Sequence, residues 1–202
     1  KKKENAERYD KLFKNAENYL EEILNEINHL GIKDDSLILV MSDHGISVGE
    51  KFGERAYGAF CYDYTLRTFA FYFNSFEKSK LVEQQIRHVD FLPTILDDLG
   101  ISLDENFKKI DGVSLKPIIE GESMVEKIAF SETGNPLNEN RPPKEPNTKS
   151  VRTSKWKFIY NVYNNTKELY NLESDPDEKI NLINKNFEIE DVLWKELKRI
   201  TN

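Results

Sequence analysis

Leu37-Ile38-Leu39-Val40-Met41-Ser42-Asp43-His44-Gly45 is an apolar, β-type run that breaks off directly into a carboxylate and an imidazole. Its five leading residues leave no polar face, as expected for a strand buried in a parallel sheet. In open α/β sheets the functional crevice lies beyond the carboxyl ends of the strands, which is where Asp43 and His44 fall. Gly45 lets the chain turn away at that point. A carboxylate oxygen beside an imidazole nitrogen suits a divalent cation such as Zn or Mn, whereas Ca prefers oxygen ligands. Two ligands do not close a site. Taken by itself, Asp-His-Gly reads equally as a turn in which Asp43 caps the next few residues and His44 is an ordinary surface histidine.

The flanks place this run in an αβ unit. Upstream, Tyr9, Leu12, Phe13, Ala16, Tyr19, Leu20, Ile23, Leu24, Ile27 and Leu30 recur at three- and four-residue spacing, one helical face, and Gly31 ends the helix. Downstream, Gly49, Gly53 and Gly58 mark a loop, the kind of segment where site residues concentrate. Thr68 to Phe73 reads as the next strand by aromatic content. His88 precedes Val89-Asp90-Phe91-Leu92-Pro93, where Asp90 fits an N-cap region and Pro93 an early helical turn; this histidine reads as structural, with a metal-ligand role as the open alternative.

The αβ alternation stops after Asp111 to Gly121, which sets a boundary between residues 1–122 and 123–202. Thr133 to Ser150 holds four prolines with many Asn and Lys and predicts a long loop. Trp156 to Tyr160 and Glu168 to Leu172 alternate as two strands of a small antiparallel sheet with Asn164-Asn165 at the turn, and Val192, Leu193, Trp194 and Leu197 make a last amphipathic helix. Trp156 reads as a core residue.

With 202 residues, 38% of them hydrophobic, the chain can bury at least one core. A net charge of −7 argues against a nucleic-acid partner, whose phosphates require a basic face. No apolar run approaches the ~20 residues of a membrane span. Cys61, the only cysteine, stands among aromatics and reads as a small buried residue without an intrachain disulfide.

In order, LILVMSDHG, VGEKFGE, LRTFAFYF, HVDFLPTILDDLGI, DGVSLKPIIEG, RTSKWKFIYN and ELYNLESDPDEKINL resemble the C-terminal half of a sulfatase, a family of the alkaline phosphatase superfamily of metal-dependent ester hydrolases. The resemblance implies an α/β fold: an alkaline-phosphatase-like parallel sheet sandwiched by helices, present in part, with a small C-terminal antiparallel α+β subdomain. It implies that Asp43 and His44 contribute to a divalent metal site for Ca, Zn or Mn. It also implies that the other ligands and the nucleophile, a formylglycine or a Ser/Thr, sit in an N-terminal half. The chain opens with Lys1-Lys2-Lys3 inside the first helix, so it is read as a C-terminal fragment that is inactive without that half. Cys61 lacks the proline and arginine of the formylglycine signature, and no residue of this chain is expected to be the nucleophile.

The family's basic residue for the substrate anion, counted back from Tyr62-Asp63-Tyr64-Thr65-Leu66-Arg67, falls near Tyr57, where the usual cation is missing. Arg55 and Tyr57 are therefore the candidate substrate-binding residues, with Lys51 as another possible cation; a guanidinium matches sulfate oxygens bidentately and a phenol donates to a developing oxyanion. Arg55 reads alternatively as a surface ion pair with Glu54 or Glu50. The expected function is hydrolysis of a small-molecule or glycan sulfate ester. One alternative is a phosphodiesterase or phosphoglycerol-transferase relative, favoured by histidine at 44 and the lost cation at 57. Another is a non-catalytic binding module lacking the nucleophile.

Overall fold

The computed structural model describes residues 2–54, 56–74, 79–102, 110–136 and 143–201. The first helix, α1 (Lys2–His29), begins earlier than its apolar row and ends as expected, with Gly31 in a left-handed turn at φ +67°. None of its residues is buried, and Leu12, Tyr19 and Ile23 are more than half exposed. It meets the rest of the chain through an edge-on contact of Phe13 with Phe69, at 6.3 Å between ring centroids, and a 3.2 Å bond from Asn5 Nδ2 to the Val48 carbonyl. No helix among the described residues is long and apolar enough to cross a membrane.

Strand β1 (Ile38–Met41) pairs with β2 (Ala70–Phe73) in a two-stranded antiparallel sheet, Ile38 opposite Phe73 and Met41 opposite Ala70. The neighbour of β1 within the chain is thus antiparallel, where its doubly apolar sequence pointed to a parallel one. The connection explains this. A parallel return needs a crossover, usually a long helix, and among the described residues of 42–69 the helical content is the single turn α2 (Asp63–Leu66). Among the described residues no strand lies on the other edge of β1.

Helices α3 (Phe91–Asp98) and α4 (Lys116–Glu120) cover one face of β1, where Phe91, Leu115 and Ile118 form a core against Leu39 and Met41. Asp90 does not cap α3 with its side chain. Buried at 2% exposure, its carboxylate instead accepts the Arg87 guanidinium at 2.6 Å and the Val113 amide at 3.0 Å, tying two loops together.

The second sheet is antiparallel throughout, in the order β3 (Ala129–Thr133), β4 (Thr148–Arg152), β5 (Trp156–Asn161), β6 (Thr166–Asn171). The last two are the expected hairpin, with Asn165 in a left-handed conformation at its turn. The first two are additional: β4 begins inside the segment predicted as loop, because its sequence, Thr-Lys-Ser-Val-Arg, carries a single apolar residue. Helix α5 (Phe187–Thr201) lays Leu193 and Leu197 on Val151, Phe158 and Leu169, with Trp156 and Trp194 packed at the margin. The opposite face is closed by Tyr62, which joins Ile159, Tyr170 and Leu172. Cover on both sides explains why Lys157, Phe158 and Ile159 are all fully buried.

Candidate functional site

Strand β1 delivers the chain to Ser42, whose amide donates to the Phe69 carbonyl at 3.2 Å, and the ladder ends there. Asp43 comes next with its side chain 87% exposed, one oxygen accepting the His44 amide at 2.8 Å. His44 Nδ1 lies 2.7 Å from the Gly45 carbonyl. A carbonyl only accepts, so Nδ1 carries a proton, and in the neutral ring Nε2 holds the free lone pair. That nitrogen is 3.6 Å from Asp43 Oδ2. One oxygen and one nitrogen donor are thus presented side by side at the end of a strand.

Tyr57 stands edge-on to His44, its ring centroid 5.7 Å away, and is largely exposed. Three of the four residues singled out from sequence, Asp43, His44 and Tyr57, are brought together; the fourth, Arg55, lies outside the described residues. Lys51 is engaged elsewhere. Its ammonium donates to the Glu178 carbonyl and sits over the rings of Tyr62 and Tyr170, at 4.5 and 5.5 Å from their centroids. His88 Nε2 lies 2.8 Å from the Thr68 hydroxyl.

The loop between His44 and Tyr57 is held by its own carboxylates. Glu50 collects the Val48 and Gly49 amides and the Ser47 hydroxyl at 2.9 to 3.1 Å. Burial pushes its carboxyl up, but its own amide, the Val48 amide, the Ser47 hydroxyl and Lys2 together outweigh burial and lower it below the usual range. Glu54 accepts the Ala59 amide at 2.6 Å and the Tyr64 hydroxyl at 2.9 Å. Among the described residues no three His, Cys, Asp or Glu side chains gather as a metal cluster. A cleft of about 2050 Å³ runs between β2 and the second sheet, past Thr68, His88 and Arg152, and none of Asp43, His44 and Tyr57 lines it.

Sequence reasoning missed a buried ion cluster behind α2. Asp63 accepts Arg152 Nε and Nη2 at 3.0 and 2.8 Å and Lys157 Nζ at 2.8 Å, and Lys157 also faces Glu178 at 3.1 Å. Burial raises the Asp63 carboxyl, yet the two cations prevail and hold it at about 2. For Glu178 burial wins over Lys157, and its carboxyl is raised. A lysine inside the otherwise apolar run Trp156 to Tyr160 was the available signal, since such a residue is buried only when paired. Cys61, 1% exposed, has its thiol pushed up to about 12 by burial, in keeping with an inert core position.

The family described as Sulfatase matches residues 1–101, and the one described as N-sulphoglucosamine sulphohydrolase, C-terminal, matches residues 57–202. The chain belongs to the sulfatase family. It is 29% identical over 179 residues to a choline-sulfatase of Rhizobium meliloti, covering 80% of this chain and 30% of that protein. It is 28% identical over 176 residues to an N-acetylglucosamine-6-O-sulfatase of Bacteroides thetaiotaomicron, covering 81% and 29%. The chain therefore spans less than a third of the length of these relatives. A phosphonate monoester hydrolase from Silicibacter pomeroyi has the same fold at a TM-score of 0.68 and 20% identity, covering 91% of this chain and 37% of that one. Solved sulfatases share the alkaline-phosphatase-like α/β fold as well.

Proposed function

We propose that the chain is the C-terminal part of a metal-dependent sulfuric ester hydrolase in which Asp43 and His44 supply two ligands of the metal site. The observation that carries this reading is the His44 imidazole, which gives its Nδ1 proton to the Gly45 carbonyl and turns Nε2 toward Asp43 Oδ2, 3.6 Å away. Metal-binding histidines typically donate their second nitrogen to a carbonyl or carboxylate. Two ligands on a tetrahedral cation with bonds of about 2.1 Å stand roughly 3.4 Å apart, so the donor set fits a divalent ion. Oxygen plus imidazole nitrogen favours Zn or Mn over Ca.

When bound, the cation acts as a Lewis acid on an ester oxygen. The chain's own contribution is positional. Asp43 and His44 would fix the ion at the strand end, and the exposed Tyr57, edge-on to the His44 ring, would donate its hydroxyl to a substrate oxygen, with Arg55 two positions earlier in sequence. Cys61 is too buried to be a nucleophile, so the attacking group and the remaining ligands belong to the portion of the relatives' length that this chain does not span. The division near residue 122 is kept in this reading, with the second sheet forming one wall. The sulfate esters of the two relatives, choline sulfate and a sulfated sugar, indicate a small organic sulfate or a glycan sulfate as substrate class.

The test uses the complete gene product, with Asp43→Ala and His44→Ala introduced singly. Each is expected to lower metal affinity and aryl sulfate turnover by ~10-fold or more; parent-like affinity and turnover in both variants overturns the proposal. Phosphonate or phosphodiester hydrolysis is the second reading, favoured by Tyr57 standing where a cation is expected. Parallel assays with an aryl sulfate and an aryl phosphonate discriminate the two.

A further inference from the structure

We infer that Asp63 and Arg152 are positioning residues for the His44–Tyr57 site, through which the second sheet sets the site's geometry. The inference rests on the metal reading above. Both ends of the site loop press on the same single turn, α2. Behind His44, the Gly45 amide donates to the Thr65 carbonyl at 2.8 Å, and a Cβ at Gly45 would come within 2.3 Å of the Tyr64 carbonyl oxygen. Behind Tyr57, Gly58 adopts φ +83° and lies so close to Thr65 that a Cβ there would meet its Oγ1 at 2.9 Å and its methyl at 3.2 Å. The residues following His44 and Tyr57 thus both rest on Thr65 of α2, so a shift of α2 is passed to both.

The turn itself has little to hold it in place locally, being four residues long without a side-chain cap. Its first residue is anchored from the other sheet instead. Arg152 on β4 grips the Asp63 carboxylate with two nitrogens, Lys157 on β5 adds a third bond, and Glu178 takes the Asp63 amide at 2.7 Å. Gln85 fixes the guanidinium by accepting from Arg152 Nη1 and donating to the Arg152 carbonyl at 3.1 Å. Arg152 is the member whose fork dictates direction as well as charge, because a planar guanidinium bonds a carboxylate at two points where an ammonium bonds at one. Displacing it leaves the Asp63 carboxylate on the single lysine bond and its amide on Glu178, so α2 can rotate, and the loop ends move with it.

The complete gene product carrying Arg152→Lys tests this against Leu193→Ala, a core substitution under α5 that lowers stability without touching α2. Arg152→Lys is expected to weaken Mn²⁺ binding by ~10-fold, as loss of an outer-shell partner does, and to alter the His44–Tyr57 ring separation in a crystal structure. Leu193→Ala, at an equal or greater loss of thermal stability, is expected to leave both unchanged. Thr65→Ser, which keeps the hydroxyl bond to the Tyr62 carbonyl and removes the methyl facing Gly58, serves if Arg152→Lys does not fold, with the same direction expected. Parent-like affinity and ring separation in the variant overturn the inference, as does an equal loss in Leu193→Ala. If the parent binds no metal, it is the metal reading that fails, and the ring separation alone decides the positioning role.

Discussion

Arg152 on the fourth strand closes a two-point ion pair on Asp63, eighty-nine positions earlier in the chain, at distances of 2.8 to 3.1 Å. With Lys157 fully enclosed between Asp63 and Glu178, the four groups form a charge-balanced buried set linking α2 to the second sheet. Desolvating such a set is expensive, and breaking it from one side is more so.

Lys157→Met is therefore expected to lower stability in urea unfolding by about 3–5 kcal/mol, the usual result of stranding buried carboxylates. Adding Glu178→Gln, which leaves Asp63 paired with Arg152 and no carboxylate without a cation, should recover most of the loss. A double variant no more stable than the single one would show that the lysine acts through packing instead.

The acid limb of stability should carry the Asp63 signature. Its carboxyl is held at about 2 against an ordinary 3.8, so the unfolded chain binds the proton more tightly. The stabilisation, roughly 2 kcal/mol, is complete above about pH 4 and is lost as pH falls toward 2. Glu178, whose carboxyl is raised, works in the opposite sense, since charging it at higher pH opposes folding. Thermal melts of Asp63→Asn should have a flatter acid limb than the parent; an identical limb refutes the assignment.

Two glycines should respond differently to alanine. Gly31 has φ +67° with nothing within 4 Å of an added Cβ, so Gly31→Ala meets only left-handed backbone strain, about 1–2 kcal/mol. At Gly45 an added Cβ would lie 2.3 Å from backbone that belongs to α2, and overpacking of that kind costs about 1–3 kcal/mol or more. Gly45→Ala is also expected to disturb the metal binding proposed for Asp43 and His44, whereas Gly31→Ala is not; calorimetric titration of both variants checks this.

The thiol of Cys61 should be silent toward a disulfide reagent in the native state and react at full stoichiometry in denaturant, given 1% exposure and a proton retained to about pH 12. Rapid native labelling would contradict the burial.

Much of the fold was legible in the sequence. The apolar period of α1, the strand running into Asp43 and His44, and the hairpin of β5 and β6 are written in side-chain patterning, and the ordered blocks carried the family. Tyr57 was placed by counting within the family pattern. The features that escaped notice depend on contacts distant along the chain. Strand β4 is polar because Ser150 and Arg152 face partners far away in sequence, Cys61 and Asp63. The antiparallel return of β2 was decided by how little helix occupies residues 42–69, and Lys51 was diverted by Tyr62 and Tyr170. Lys157 was visible as an anomaly, but its partners were not.

Tyr62 and Tyr170 both donate to the Glu168 carboxylate, at 2.6 and 2.5 Å, and Tyr64 donates to Glu54. Burial first, and then these adjacent negative charges, raise all three phenols far above their ordinary range. In an alkaline spectrophotometric titration they will not form phenolate while the native state persists. The late step in ultraviolet absorbance then becomes an intrinsic optical marker of the moment at which α2 and the second sheet part.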